Sequence, residues 1–160
     1  MSKQPKIVLL VGLPGSGKST WAAGKPGVIS SDAVRELLAD DPTDQTIHRR
    51  VFGMMRALLR QRLELNRPVT YIDATSLTPN ERRPWIGIAR RYRSTIEALY
   101  FATPLAECQR RNRERGRVVP EEAIEAMNRR LVPPSVTEGF ARVTILGRGV
   151  EPKNGATRQD

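Results

Sequence analysis

The sequence predicts an α/β fold, in which a parallel β-sheet is flanked by helices on both faces. Short apolar segments, several of them β-branched, alternate with helical segments along the whole chain. The first apolar segment, residues 7–11, is hydrophobic at every position, which is typical of a strand buried on both sides. Because the active site of such a sheet lies at the carboxyl ends of its strands, we expect the functional residues in the loops that follow the strands.

The predicted elements keep a strand-and-helix order throughout. The predicted strands cover residues 5–11, 28–30, 69–73, 95–102 and 141–146, and the helices start near 18 and cover 31–39, 44–66, 78–92 and the segments after 104 and 120. The clearest helix start is Thr78-Pro79-Asn80-Glu81. Threonine can cap the helix, proline suits its first position, and a glutamate three residues after the cap can bond back to the cap.

The longest predicted helix, residues 44–66, has an apolar stripe that we expect to face the core. The stripe recurs at helical spacing, and three further residues widen it. Its main members are Ile47, Val51, Met54, Leu58 and Leu65, widened by Met55, Leu59 and Leu63. The arginines of this helix lie mostly off the stripe, so they are expected to face water.

Composition indicates one domain and no membrane span. A chain of 160 residues is long enough for a single core, which we assign to residues 1–147, and the polar tail 148–160 is expected to be disordered. No apolar run approaches the length of a membrane span, and the single cysteine, Cys108, cannot form an internal disulfide. We therefore expect a cytoplasmic protein.

The charge balance is strongly basic. The chain holds 27 Lys and Arg against 17 Asp and Glu, which gives a formal net charge of +10. Such a field favours polyanionic partners, nucleic acid among them. Arginines that merely solvate helix faces would account for the same charge.

The segment GLPGSGKST, residues 12–20, matches a phosphate-binding loop that follows a strand and opens a helix. Glycines allow a tight turn whose N–H groups point at anionic oxygens. Lys18 is predicted to reach the β- and γ-phosphates of ATP or another nucleoside triphosphate, and Ser19 to ligate Mg²⁺. The candidate nucleotide-binding residues are Gly12, Pro14, Gly15, Ser16, Gly17, Lys18, Ser19 and Thr20.

Two further loops carry acids beside this one. Asp32 follows the second strand and is placed to accept the proton of an attacking hydroxyl; a cap of the next helix is the less favoured alternative. Arg35, on the same helix face, can bind a phosphate of the acceptor or simply pair with Asp32. Asp73 ends a buried strand, where a carboxylate can hold Mg²⁺; a loop aspartate bonded to its own backbone is the alternative.

An arginine-rich segment, residues 110–120, can close over a bound triphosphate as a lid. The alternative is a solvated charged loop. His48, the only histidine, lies on the polar side of the long predicted helix and is assigned no role. No residue cluster has the spacing of a zinc site.

Taken together, these motifs resemble the 5′-hydroxyl polynucleotide kinase family, found as the P-loop kinase domain of bacterial end-healing RNA-repair enzymes and in bacteriophage polynucleotide kinase. The likeness covers nearly the whole chain up to about Leu146. The segments that carry it are residues 12–20, SSDAVR (30–35), DDPTDQT (40–46), YIDAT (71–75), ERRPWIGIAR (81–90), ECQRRN (107–112) and EGFARVTIL (138–146).

The resemblance implies transfer of the ATP γ-phosphate to a 5′-hydroxyl of RNA or DNA, with Mg²⁺. Asp32 matches the family's general base, and Arg35 matches its contact to the first phosphate of the acceptor. Lys18 and Ser19 match its phosphate and Mg²⁺ ligands. Arg111 and Arg115 match the lid arginines that contact the donor phosphates.

Two departures from the family accompany the match. Ser76 stands where the family commonly has asparagine, and 160 residues leave no room for the phosphatase and ligase modules of end-healing enzymes. We therefore expect either a stand-alone kinase, with phosphatase and ligase as partners for end repair, or an excised domain. Gln45 lies in a shared run without an assigned role. Two other functions stay open: a kinase for a small hydroxylated metabolite or antibiotic, and a nucleotide-dependent binding module without catalysis.

Overall fold

The computed structural model describes residues 3–116 and 119–147; the predictions for lid residues 117 and 118 and for the tail 148–160 fall outside these ranges. The strands are β1 (Lys6–Val11), β2 (Val28–Ser30), β3 (Val69–Asp73), β4 (Thr95–Phe101) and β5 (Arg142–Leu146). The helices are α1 (Lys18–Ala22), α2 (Ser31–Ala39), α3 (His48–Glu64), α4 (Pro79–Arg91), α5 (Leu105–Glu114) and α6 (Glu121–Arg130). Short 3₁₀ turns cover Gln45–Ile47 and Val136–Glu138.

The five strands form one parallel sheet in the order β2-β3-β1-β4-β5, which confirms the predicted fold class. Strand β1 lies in the middle, with Leu10 opposite Asp73 of β3 and Leu99 of β4. All strands therefore end at the same edge of the sheet. The loop after β1 lies at the centre of that edge, between the loops that follow β3 and β4.

The two faces of the sheet are covered unequally. Ile7 and Leu9 of β1 pack in a large core with residues from α2, α3 and α4, whereas Val8 and Leu10 pack in a smaller one with Ala22 of α1. Helices α5 and α6 form a third cluster at the carboxyl edge, where Leu13 and Leu77 contact Cys108 and Ile124. In the described part of the chain, no helix is long and apolar enough to cross a membrane.

Helix α3 is shorter than expected and rotated relative to the predicted stripe. It starts at His48 instead of residue 44, and its buried residues are Val51, Met55, Leu59 and Leu63. Met54, Leu58 and Leu65, which we expected in the core, are 46%, 44% and 70% exposed. Both sets of residues satisfy helical spacing, so periodicity alone does not decide which one the sheet covers.

Part of the arginine-rich segment 110–120, which we expected to act as a lid, belongs to a helix. Helix α5 continues through Glu114, so residues 110–114 are helical. Arg110 forms ion pairs with Glu107 and Glu114 on the same helix face, which supports this helical turn. Pro104 stands at the N-cap of α5, and the Thr103 hydroxyl contacts the loop after β1.

Candidate active site

A cleft of about 1740 Å³ runs along the carboxyl edge of the sheet. It is lined by the loops after β1, β2 and β3 and by residues of α2, α3, α5 and α6. The cleft brings together nearly all of the predicted site residues: Pro14, Gly15, Ser16, Gly17, Lys18, Ser19, Thr20, Asp32, Arg35, Asp73, Arg111 and Arg115. Gly12 is buried behind the loop, where its N–H donates to the carbonyl of Thr75 at 3.1 Å.

The glycine loop has a backbone shape that other residues would strain. Gly15 and Gly17 adopt φ angles of 81° and 105°, in the region that favours glycine. A Cβ atom on Gly15 would also lie 2.6 Å from the carbonyl oxygen of Cys108. Thr103 Oγ1 donates to the carbonyl of Ser16 at 2.8 Å, so the end of β4 braces the loop from behind.

Lys18 is buried within the loop that it follows. Its Nζ donates to the carbonyls of Gly12 and Leu13 at 2.8 and 2.9 Å. Burial lowers the pKa of Lys18 to about 8, against a smaller opposing effect of nearby Asp73. A buried lysine with a lowered pKa at the base of a phosphate-binding loop is suited to bind an anion, because the anion stabilises the protonated form of the amine.

Ser19 in the first turn of α1 and Asp73 at the end of β3 are hydrogen-bonded in the cleft. Ser19 Oγ donates to Asp73 Oδ2 at 2.9 Å, although the two residues lie 54 positions apart. Asp73 is 7% exposed, and burial raises its pKa while Lys18 opposes that shift. A hydroxyl and a carboxylate oxygen beside a phosphate site are the donor set that Mg²⁺ takes in such proteins, so the residues present fit this ion.

Asp32 does not cap helix α2. The N-cap is Ser30, whose Oγ accepts from the N–H of Ala33 at 3.3 Å, and Asp32 lies in the first turn. The Asp32 side chain is 45% exposed, and its Oδ1 accepts from Arg35 Nη1 at 3.4 Å. Its carboxylate therefore lines the cleft and is not needed for the cap.

Arg35 is the most unusual cation of the cleft. The residue is 4% exposed, and its Nε has no hydrogen-bond partner within the described residues. An unpaired buried guanidinium nitrogen is costly and rare in native proteins. Since Arg35 also lines the cleft, its guanidinium group can bind an anionic ligand that enters there.

Arg111 and Arg115 reach the cleft from the other side. Arg111 Nε pairs with Glu107 at 3.1 Å, and its Nη1 lies 3.5 Å from the carbonyl oxygen of Gly15. This contact places the guanidinium of Arg111 against the phosphate-binding loop. Arg115 is exposed just beyond the end of α5 and also lines the cleft.

The loop after β3 is held by a buried ion pair that the sequence did not reveal. Arg82 of α4 is fully buried; it donates to both carboxylate oxygens of Glu138 at 2.8 and 3.0 Å and to the carbonyl of Ser76 at 2.9 Å. Ser76 itself has a φ of 49°, and its buried Oγ has no partner among the described residues. Asparagine tolerates this backbone conformation better than serine, which gives a physical reason for the family's preference at this position.

Sequence reasoning missed His48 and Phe52 as cleft residues. Both line the cleft from the first turns of α3, together with Thr43 and Gln45 from the preceding segment. The available signal was position: His48 follows the shared run 40–46 directly, and Phe52 lies one helical turn later. The expected helix start at residue 44 concealed this, since it made His48 an ordinary surface residue within a helix.

The comparisons with known proteins agree with this geometry. A family model described as "AAA domain" matches residues 7–134. The "Bifunctional polynucleotide phosphatase/kinase" of Schizosaccharomyces pombe is 27% identical over 148 residues, which are 89% of this chain and 33% of that protein. The chain thus spans about a third of this curated relative.

Solved structures are also similar to this chain. A chain in the "Pnkp1/Rnl/Hen1 RNA repair complex" is 27% identical with a TM-score of 0.67, over 82% of this chain and 45% of that one. A solved structure from Chloroflexus aurantiacus shares the fold, with a TM-score of 0.69 at 17% identity over 91% of this chain and 89% of that one. These matches support the resemblance to 5′-hydroxyl polynucleotide kinases, and the P-loop kinase fold implies nucleotide binding. The chain belongs to the AAA domain family.

Proposed function

We propose that this chain is an ATP-dependent polynucleotide 5′-kinase, which transfers the γ-phosphate of ATP to the 5′-hydroxyl end of RNA or DNA. The observation that carries the proposal is the pair Asp32 and Arg35 in the same cleft as the phosphate-binding loop. Asp32 offers a base for the acceptor hydroxyl. Arg35 offers a buried, incompletely bonded cation for a phosphate of the acceptor, which a neutral acceptor would leave unsatisfied.

The relatives and the charge support the same acceptor. One relative is named as a polynucleotide phosphatase/kinase, and the other belongs to a complex named for RNA repair. A net charge of +10 suits a polyanionic substrate. We further propose that phosphatase and ligase partners act with it in end repair, in the cytoplasm.

On the donor side, the loop N–H groups and Lys18 hold the β- and γ-phosphates of ATP. Ser19 and Asp73 would hold Mg²⁺, which offsets the negative charge on these phosphates. Arg111, already against Gly15, and Arg115 supply further donors to the phosphate oxygens as the arginine-rich segment closes. The donor is thereby positioned with its γ-phosphate towards Asp32.

On the acceptor side, Asp32 takes the proton of the 5′-hydroxyl as its oxygen attacks the γ-phosphorus. A new bond forms between that oxygen and the γ-phosphorus, and the bond to the oxygen that bridges the β- and γ-phosphates breaks. The products are ADP and a 5′-phosphorylated end. Arg35 binds the phosphate on the 3′ side of the first nucleoside and so fixes the hydroxyl beside Asp32.

The test uses ATP labelled at the γ-phosphate, Mg²⁺, and one oligonucleotide with either a 5′-hydroxyl or a 5′-phosphate. We expect label only on the 5′-hydroxyl strand. Asp32→Asn is expected to lower the turnover about 10²–10⁴-fold while ATP binding stays intact, because it removes the base and keeps the shape. Glu36→Gln, exposed on the same helix and outside the cleft, serves as the matched control.

Two results would contradict the proposal. If neither strand gains label while ATP still binds, the acceptor is not a polynucleotide end. If Asp32→Asn turns over like the wild type, Asp32 is not the base.

A further inference from the structure

Two aromatic side chains in the first turns of helix α3, His48 and Phe52, line the cleft and contact each other. His48 is exposed and is the first residue of the helix; its ring centroid lies 4.5 Å from that of Phe52, with the planes 34° apart. Phe52 is half-buried, and its ring centroid lies 6.4 Å from that of Trp85, which is 1% exposed. His48 is thus supported from behind by a ring that is anchored in the core.

The pair is open towards the cleft. His48 and Phe52 line it together with Asp32 and Arg35, and α2 and α3 are neighbours that share a core. Within residues 3–116 and 119–147, the imidazole ring makes no hydrogen bond or ion pair, and its described contact is the stack on Phe52. The outer face of the imidazole is therefore a flat surface on the acceptor side of the cleft.

The positions of Asp32 and Arg35 indicate which part of the acceptor substrate covers the exposed face of the His48 imidazole. Asp32 and Arg35 are one helical turn apart, so they can contact the two ends of one nucleoside: its 5′-hydroxyl and its 3′-phosphate. The base of that nucleoside is attached at C1′ of the sugar and so extends away from both of these groups, where another part of the cleft wall has to receive it. Aromatic side chains commonly receive unpaired bases by stacking, and stacking accepts every base because each has a π-face.

Building on the proposed function, we infer that His48 is the platform on which the 5′-terminal nucleobase of the acceptor stacks, with Phe52 as its support. The inference narrows the substrate to strands whose first base is unpaired and present. It also makes the site tolerant of base identity, since a stacked ring reads no hydrogen-bonding edge. The binding of ATP does not involve this surface.

The test compares two 5′-hydroxyl oligonucleotides that differ only at the first nucleoside, which either carries a base or is abasic. For the wild type we expect kcat/KM to be about 5- to 100-fold higher with the base present. His48→Ala should remove most of this preference, and His48→Tyr should restore it, because tyrosine also stacks. Met54→Ala, partly exposed on the same helix but outside the cleft, is the matched control.

The outcomes separate the inference from the proposed function. Equal activity of the wild type on both oligonucleotides overturns the stacking role alone. An equal loss on both oligonucleotides in His48→Ala also overturns it, since that result would indicate a structural role. A wild type that phosphorylates neither strand, with ATP binding intact, overturns the proposed function and the inference together. In every variant the KM for ATP is expected to stay unchanged.

Discussion

The two halves of the cleft are built differently. The donor half, around the phosphate-binding loop, is tied by bonds between distant segments: Ser19 to Asp73 over 54 positions, and Thr103 to Ser16 over 87. The acceptor half is held by local contacts, such as Asp32 with Arg35 at 3.4 Å within one turn of α2. Its Arg35 Nε has no partner within the described residues.

This difference indicates how each half meets its substrate. Hydrogen bonds between distant segments fix the backbone of the donor half, so its shape exists before ATP arrives and little reorganisation is needed. The acceptor half keeps a buried cation incompletely bonded and an aromatic face exposed, so the acceptor itself completes the network. We therefore expect substitutions in the donor half to affect ATP use, and substitutions in the acceptor half to affect only the acceptor.

The strongest test of this separation is Lys18→Ala. The substitution removes the cation that faces the β- and γ-phosphates, and we expect kcat/KM for ATP to fall about 10³-fold with ATP binding severely weakened. Steady-state kinetics and direct binding of ATP measure both effects. Lys25→Ala is the control, because that lysine lies over the Trp21 ring, 4.1 Å from its centroid, and does not line the cleft. Unchanged affinity for ATP in Lys18→Ala would contradict the assignment of ATP binding to the donor half.

A second test concerns the loop after β3, which the Arg82–Glu138 pair holds. Arg82→Met leaves the Glu138 carboxylate without its guanidinium partner in a buried place, so we expect the free energy of unfolding to drop by about 3–5 kcal/mol. Denaturant titration measures this loss. Replacing Glu138 by Leu in the same chain should recover part of it, because the unpaired charge then disappears. A loss below about 1 kcal/mol would show that the pair does not hold the loop.

The third test isolates the acceptor half. Arg35→Ala removes a charged donor to the acceptor phosphate, and we expect the KM for the oligonucleotide to rise about 10- to 100-fold with the KM for ATP unchanged. Arg35→Lys should recover only part of the loss, because an ammonium lacks the planar fork of donors. A parallel rise in the KM for ATP would mean that the two halves are not separable.

The smallest expected effect is the uptake of a fraction of a proton by Lys18 when ATP binds. Because the pKa of Lys18 is about 8, part of the lysine is neutral above that pH, and the phosphates of ATP favour its charged form. Binding at pH 8.5 should therefore take up a fraction of a proton, and binding below pH 7 should take up none at this group. Calorimetry in buffers of different ionisation enthalpy measures the uptake. Lys18→Arg should abolish it, since arginine stays charged.

Local patterns predicted most of the fold and the donor half. Each strand was placed within one or two residues, and the predicted cap, proline and glutamate of α4 all take their expected places, because these signals act over a few neighbouring positions. The choice between cap and base at Asp32 stayed open in the sequence, since Ser30, Ser31 and Asp32 are all capping residues by type.

Other features depend on contacts that no local pattern contains. Arg82 and Glu138 lie 56 positions apart, and nothing near either residue indicates the other. The rotation of α3 and its start at His48 depend on which face of the helix the sheet covers. Because the helix starts there, the rings of His48 and Phe52 line the cleft, which we did not expect. The left-handed backbone of Ser76 likewise reflects its tertiary surroundings.

The central position of β1 has a consequence for how the protein is made. Lys6 pairs with Val69 on one side and with Thr95 on the other, so the strand that presents the phosphate-binding loop is synthesised long before either neighbour. At ribosomal rates the second neighbour follows about 5–20 s later. During that interval the nascent chain already contains the nucleotide motif but not the sheet that shapes it. ATP can therefore assist the last stage of folding, when β4 has docked, and not the first.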